Sequence, residues 1–367
     1  VTAVVDNETG STDDRAGGSV ADSADARAAV AGAVLARGRE LVNPALRAAV
    51  DRLDPDSRAQ AAYHLGFVEV DGSPGRGGGK AVRPTLALLS AQAAGAPAEA
   101  GLPGAVAVEL VHNFSLLHDD LMDGDTERRH RPTVWARWGA PSAILTGDAL
   151  LALAQEVLLE APSPHAADTA RALAVTTREL IRGQVADVAF ERRTDVGLAE
   201  CLDMAAGKTG ALLAASATVG AQLAGAPAPL LAALRTFGAE VGAAFQLVDD
   251  LLGIWGDPAV TGKPVLSDLR SRKKSLPVTY AVVHGGAAGA ELGAWLTGGG
   301  DADGPDTEGQ LHRMAELVET GGGRRWAAEE ARRRMAHADR ALGGVDLPAD
   351  TRTELLALGH HLVDREA

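Results

Sequence analysis

A single cysteine, Cys201, in 367 residues excludes an intramolecular disulfide and fits a reducing compartment such as the cytoplasm. Its buried, small-hydrophobe role is the expected one. Aromatic residues make up only 3% of the chain, and no stretch alternates apolar and polar residues long enough to argue for a sheet. Basic residues are in deficit, with 35 Lys and Arg against 49 Asp and Glu and a formal net charge of −14, so nucleic acid is not an expected partner. Residues 1–24 are polar and acidic without an apolar core, so no signal sequence is expected there. No run reads as a membrane-spanning helix free of charges and glycines. A soluble protein is therefore expected.

What is abundant is alanine, leucine and other strong helix formers. The expected fold class is all-α, a single large helical bundle around a central cavity. Residues 1–24 have the low hydrophobicity of a disordered tail, and 25–367 form the domain. Helices are expected from Asp25, a plausible N-cap, to about Leu53 and from Asp54 to about Gly66. Others are expected over 84–98, 104–123, 141–160, 164–191, 198–224 and 228–255. The glycine-rich acidic stretch 297–309 reads as a flexible loop.

The chemistry concentrates in His112–Thr133, HNFSLLHDDLMDGDTERRHRPT. Asp119 and Asp123 are four residues apart and share a helical face, with Asp120 beside them and Arg128 and Arg129 just after. Clustered carboxylates repel one another, and hard divalent cations reward the arrangement. One such cluster is equally well read as a solvated helix end. A second acidic pair, Asp249 and Asp250, closes the apolar run FQLVDDLLGIWGD and changes that balance. Two acidic helices facing across one polyanion are then the simpler account. Upstream, SPGRGGGKAVRP delivers Lys80 and Arg83 to the start of a helix, without the spacing of a nucleotide P-loop.

Together with GQVAD, GKTG, TGKP and DLRSRKKSLP, these segments resemble the trans-isoprenyl diphosphate (polyprenyl) synthases, in family order, over roughly residues 30–285. The resemblance implies condensation of isopentenyl diphosphate with an allylic diphosphate (dimethylallyl, geranyl or farnesyl) in a homodimer. It implies about three Mg²⁺ per active site, on Asp119, Asp120, Asp123, Asp249 and Asp250. Lys80, Arg83, His112, Arg129, Thr209 and Gln246 would bind substrate. Arg128, Gln184, Lys208, Lys263 and Lys273 would serve the leaving diphosphate and the developing carbocation. The released diphosphate would take the proton. Three positions depart from the family pattern: Ala81 replaces a basic residue, His130 a glycine, and Gly253 the third aspartate many relatives carry. Water or Asp257 would complete that metal shell, or the metal would be held more loosely.

Phe114 lies five residues and Ser115 four residues before Asp119. By spacing alone Phe114 is core. By the resemblance a bulky residue there floors the product tunnel, and the pattern is that of geranylgeranyl diphosphate synthases, with farnesyl diphosphate the close alternative. A class I terpene cyclase shares the first acidic motif but needs no second diphosphate site. A non-catalytic regulatory subunit would lack the first acidic cluster. Both remain remote alternatives.

Overall fold

The computed structural model describes residues 14–75, 77, 79–258, 264–298 and 306–364. The fold is all-α apart from one two-stranded hairpin, β1 (Glu127–Arg128) and β2 (Arg131–Pro132). The helices that build the site are α1 (Asp14–Val50), α2 (Pro55–His64), α3 (Val82–Ala93), α4 (Leu102–Met122), α5 (Val134–Trp138), α6 (Ala140–Leu159) and α7 (Ala166–Arg192). After them come α8 (Leu198–Ala205), α9 (Ala211–Ser216), α10 (Val219–Leu223) and α11 (Ala228–Trp255). The C-terminal part adds α12 (Ser267–Arg270), α13 (Leu276–His284), α14 (Gly286–Thr297), α15 (Glu308–Thr320), α16 (Gly323–Gly343) and α17 (Ala349–Val363).

Local chemistry explains several boundaries. Asp54 caps α2 by accepting from the amides of Asp56 and Ser57, with Pro55 in the first turn where its missing N–H costs nothing. Thr307 caps α15 in a reciprocal capping box with Gln310. Two expectations shift. Helix α1 begins at Asp14, eleven residues before the expected start at Asp25. The loop expected over 297–309 is shorter, because Thr297 still ends α14 and α15 starts at Glu308; residues 299–305 lie outside the described residues.

Small residues let the helices approach closely. A Cβ on Gly38 of α1 would stand 2.2 Å from Thr85 Oγ1 on α3, and one on Gly220 of α10 would stand 2.0 Å from the Ala87 carbonyl of α3. Helix α4 packs most heavily on α6, and α11 on α16. One apolar core gathers Leu234, Phe237 and Leu247 of α11 with α16 and α17. A second gathers Leu110 and Leu117 of α4 with α1, α2 and α6. Each fully buried leucine or phenylalanine contributes about 1.5–3 kcal/mol. The two acidic helices, α4 and α11, belong to different cores and are joined through α9, which packs on both.

Two stretches, 98–122 and α6, are long and apolar enough to cross a membrane by length and composition, although both carry charged residues and glycines. The first is mostly buried core, whereas α6 keeps Ile144, Leu145 and Leu159 exposed.

Candidate active site

Asp119 sits in the last turn of α4, and Asp123 is its C-cap. Burial pushes the Asp119 carboxyl up to about 6; Lys208 and Arg128 oppose the rise, and Asp123 and Asp187 add to it. Asp123 is raised for the same reasons, burial first. Asp120 behaves differently. It is 1% exposed, and Arg128 Nε donates to its Oδ1 at 2.7 Å, with Nη2 in ion-pair contact with the same oxygen. Its Oδ1 therefore holds Arg128 in place, while its Oδ2 is buried without a hydrogen-bond partner.

Arg128 and Arg129 stand on the β1–β2 hairpin, where Arg128 pairs with Arg131. The two turn residues, Arg129 and His130, both have positive φ, 54° and 60°. Such two-residue turns ordinarily carry Asn-Gly. Tertiary contacts hold this one: Arg131 donates to the carbonyls of Tyr63 and Val68, the Tyr63 hydroxyl donates to the Pro132 carbonyl, and Thr133 Oγ1 and Trp135 Nε1 both donate to the Asp125 carbonyl.

Behind the hairpin lies a cavity of about 250 Å³ lined by Gly79, Lys80, Arg83, Glu109, His112 and Arg129, with Leu213, Phe245 and Leu362 at its apolar side. Burial, reinforced by Arg83 and Arg129, holds His112 well below its ordinary pKa, so the ring is neutral. Its Nε2 therefore accepts from Arg83 Nη1 at 3.2 Å. Burial raises Glu109, against the opposing field of Arg83, and Asn113 donates to it. Arg83 Nε is buried without a partner, a donor for which an anion is the natural acceptor. The expected group Lys80, Arg83, His112 and Arg129 is thus brought together.

Opposite stands a π-helical turn, Ala206–Gly210, wedged between α7 and α11. A Cβ on Gly183 would meet the Lys208 amide nitrogen at 2.2 Å, and one on Gly242 would meet Gly210 Cα at 2.8 Å. One turn earlier on α11, a Cβ on Gly238 would meet the Leu213 carbonyl of α9 at 2.7 Å. The turn places Lys208 Nζ 2.6 Å from Asp187 Oδ2. It also lets Thr209 donate to Gln246, whose amide donates in turn to Asp250. Gln184 is 7% exposed, and neither end of its amide finds a partner. An unsatisfied buried amide is costly without a ligand or water.

Asp250 repeats the behaviour of Asp120. It is buried and accepts from Gln246 Nε2 (2.9 Å), the Leu276 amide (2.9 Å) and Lys273 Nζ (3.5 Å), while its neighbour Asp249 is exposed. Asp250 is thus tied to Lys273 and to the start of α13, and Thr209 and Gln246 form a hydrogen-bonded chain leading to it. Burial disfavours charge on Lys273, but Asp250, Asp268, Asp249 and Asp187 outweigh it and raise the ammonium above its ordinary pKa. Lys263 lies outside the described residues. At Gly253 an added Cβ would meet the Asp268 carboxylate at 2.5 Å, so Asp268 occupies the space of the absent third side chain. Asp257, the alternative considered for that role, is exposed.

Asp187 acts electrostatically on Asp119, Asp123 and Lys273 alike, so both clusters share one space. Among the described residues no three carboxylates or imidazoles form a ready metal cage. A divalent cation at a diphosphate site is ordinarily held by one or two carboxylates together with phosphate oxygens and water. The raised, mutually repelling Asp119 and Asp123 are the acids such an ion would relieve.

Phe114 is buried, with the His118 ring edge-on at 4.8 Å. His118 in turn bonds the Ile144 carbonyl and fills the space above Gly147 on α6. Neither His118 nor the Tyr63–Arg131 brace carried any signal in the sequence, since each depends on a contact with a distant helix.

An all-α fold that sets two acidic helix ends in one electrostatic neighbourhood, with a cationic pocket on the same helix α4, suits a polyanionic ligand. Residues 75–302 match the polyprenyl synthetase family. The chain is 56% identical over 337 residues to (2E,6E)-farnesyl diphosphate synthase of Mycobacterium tuberculosis, covering 91% of this chain and 93% of that protein. It is 41% identical over 336 residues to geranylgeranyl diphosphate synthase of the same organism, covering 91% and 94%. The crystal structure of polyprenyl synthetase from Streptomyces coelicolor A3(2) superposes with a TM-score of 0.85 at 53% identity, covering 90% of this chain and 99% of that one. The chain belongs to the polyprenyl synthetase family and is a prenyltransferase of the short-chain trans-isoprenyl diphosphate synthase type.

Proposed function

We propose that this enzyme joins isopentenyl diphosphate to dimethylallyl and then geranyl diphosphate, with farnesyl diphosphate as its principal product. The observation that carries the reaction is the division of labour in both acidic pairs. Asp120 and Asp250 face inward and anchor Arg128 and Lys273, which leaves Asp119, Asp123 and Asp249 for metal. Mg²⁺ held there would bind the allylic diphosphate and neutralise the charge its departure creates. Arg128, Lys208 and Lys273 add fixed positive charge at the same place. The allylic C1–O bond breaks with its electron pair going to the diphosphate. The isopentenyl double bond then attacks C1 through its C4, forming the new C–C bond, and the proton lost from C2 passes to the released diphosphate. Gln184 offers an unpaired amide dipole near the developing cation. Lys80, Arg83, His112 and Arg129 hold the isopentenyl diphosphate, His112 as a neutral ring.

The farnesyl product is supported by the 56% identity to a farnesyl diphosphate synthase and by the packed Phe114–His118 pair. Geranylgeranyl diphosphate is the second reading, favoured by the small Ser115 one turn before Asp119. Incubation with isopentenyl and dimethylallyl diphosphates and Mg²⁺, followed by chromatography of dephosphorylated products, should give farnesol. Geranylgeraniol as the main product would reverse the order, and a cyclic hydrocarbon would refute the condensation. The exposed apolar residues Ile144 and Leu145 of α6 and Ile181, Val185 and Val188 of α7 support assembly as a homodimer. Sedimentation at the monomer mass would refute it.

A further inference from the structure

We propose that Arg272 is a positioning residue for Lys273: it holds a left-handed turn at the end of α12 from a clamp on Trp295 and Asp306, and so aims the lysine at the diphosphate cleft. This rests on the reading of Lys273 as a cation for the leaving diphosphate.

Among the described residues, five that are not glycine have positive φ: Ala81, Arg129, His130, Leu266 and Arg272. All lie in or next to the cationic segments. Ala81 follows Lys80, Arg129 and His130 form the hairpin turn, Leu266 stands two residues before Asp268, and Arg272 immediately precedes Lys273. A side chain disfavours this region because Cβ crowds the following carbonyl. Such residues persist only where surrounding structure over-determines them.

At Arg272 that support is visible. Its amide donates to the Leu269 carbonyl (2.9 Å), and the Lys273 amide donates to the Asp268 carbonyl (2.8 Å). This is the bond pair of a Schellman helix end, whose left-handed residue is usually glycine. Here an arginine with φ 50° takes the position. Its Nε and Nη2 donate to the two Asp306 oxygens at 3.0 Å each, and Nη1 donates to the Gly298 carbonyl at 2.8 Å. The guanidinium also lies over the Trp295 ring, 5.0 Å from its centre, and Trp295 Nε1 donates to Asp306. The side chain is thus pinned at its far end, and the backbone turn follows from that anchor.

The turn sets Lys273 twice over. Its backbone bonds the Asp268 carbonyl, while its ammonium stands 3.7 Å from the Asp268 carboxylate and 3.5 Å from Asp250. Without the clamp, the disfavoured turn would open and Lys273 would leave both acids.

Steady-state kinetics on the full-length chain with Mg²⁺ and both diphosphates tests this. Arg272→Ala should lower kcat about tenfold and raise KM for the allylic substrate, with KM for isopentenyl diphosphate unchanged. Asp306→Asn should move the same parameters in the same direction. Arg272→Gly should recover most of the loss, because glycine adopts the turn without an anchor. That recovery is the readout a merely structural arginine would not give. Wild-type kinetics in both Arg272→Ala and Asp306→Asn would overturn the proposal, as would Arg272→Gly no more active than Arg272→Ala when both melt as folded proteins. Should Arg272→Ala not fold, Asp306→Asn compared with Arg272→Gly decides. Lys273→Ala is the control: undiminished turnover there would sink the reading beneath the proposal, whatever the Arg272 variants do.

Discussion

Replacing Asp119 by Asn should stabilise the protein while abolishing turnover. In the metal-free fold, burial and the neighbouring Asp123 and Asp187 lift the Asp119 carboxyl from 3.8 to about 6. A group whose folded pKa lies above its unfolded value favours the fold fully below pH 3.8, and that advantage is lost as pH rises through 6. At neutral pH the ionised carboxylate therefore works against folding, by at most about 3 kcal/mol. Asn keeps the shape and the desolvated polar group, so a gain of about 1–2 kcal/mol is expected. The assay is urea unfolding of both proteins in EDTA at a series of pH values. The stability gap should be widest near pH 7.5 and close towards zero below pH 4. A gap that does not change with pH, or an Asn variant less stable at pH 7.5, would refute the electrostatic account. Adding Mg²⁺ and inorganic diphosphate should stabilise the wild type more than the variant.

The two acids of the second pair should separate in the same way as those of the first. Asp250→Asn strips acceptor strength from three donors and should cost about 2 kcal/mol or more in urea unfolding, whereas Asp249→Asn should leave stability intact and abolish Mg²⁺-dependent activity. Gly253→Ala should destabilise by about 1–3 kcal/mol through its clash with Asp268. The double variant with Asp268→Ala should recover part of that loss; an additive result would place the strain elsewhere. Phe114→Ala should lengthen the product by at least one five-carbon unit, and His118→Ala should shift it the same way but less, read by product chromatography. Arg83→Ala should raise KM for isopentenyl diphosphate more than for the allylic substrate; equal effects would mean the two diphosphate sites are exchanged.

The residues themselves determine much of this protein. Apolar positions three and four apart along 104–123 and 228–255 specify amphipathic helices, Asp119 and Asp123 share a face by spacing alone, and the glycine-rich run places Lys80 and Arg83 at the threshold of a helix. The helical class, the acid clusters and the cationic loop were legible because each depends on neighbours within about two turns. Which acid faces the cleft was not. Asp119 and Asp120 are adjacent, as are Asp249 and Asp250, and no local pattern distinguishes them. The choice was made by Arg128 on a hairpin, and by Lys273 and the Leu276 amide more than twenty residues downstream. The hairpin itself has no strand signal, and its positive-φ turn is imposed by Tyr63 and Asp125. The π turn that presents Lys208 exists because Gly183 and Gly242 admit it from two sides. Such features belong to the tertiary structure because their energy lies in burial and hydrogen bonds between segments far apart in the chain, which overrule the backbone preference of the residues that bear the strain.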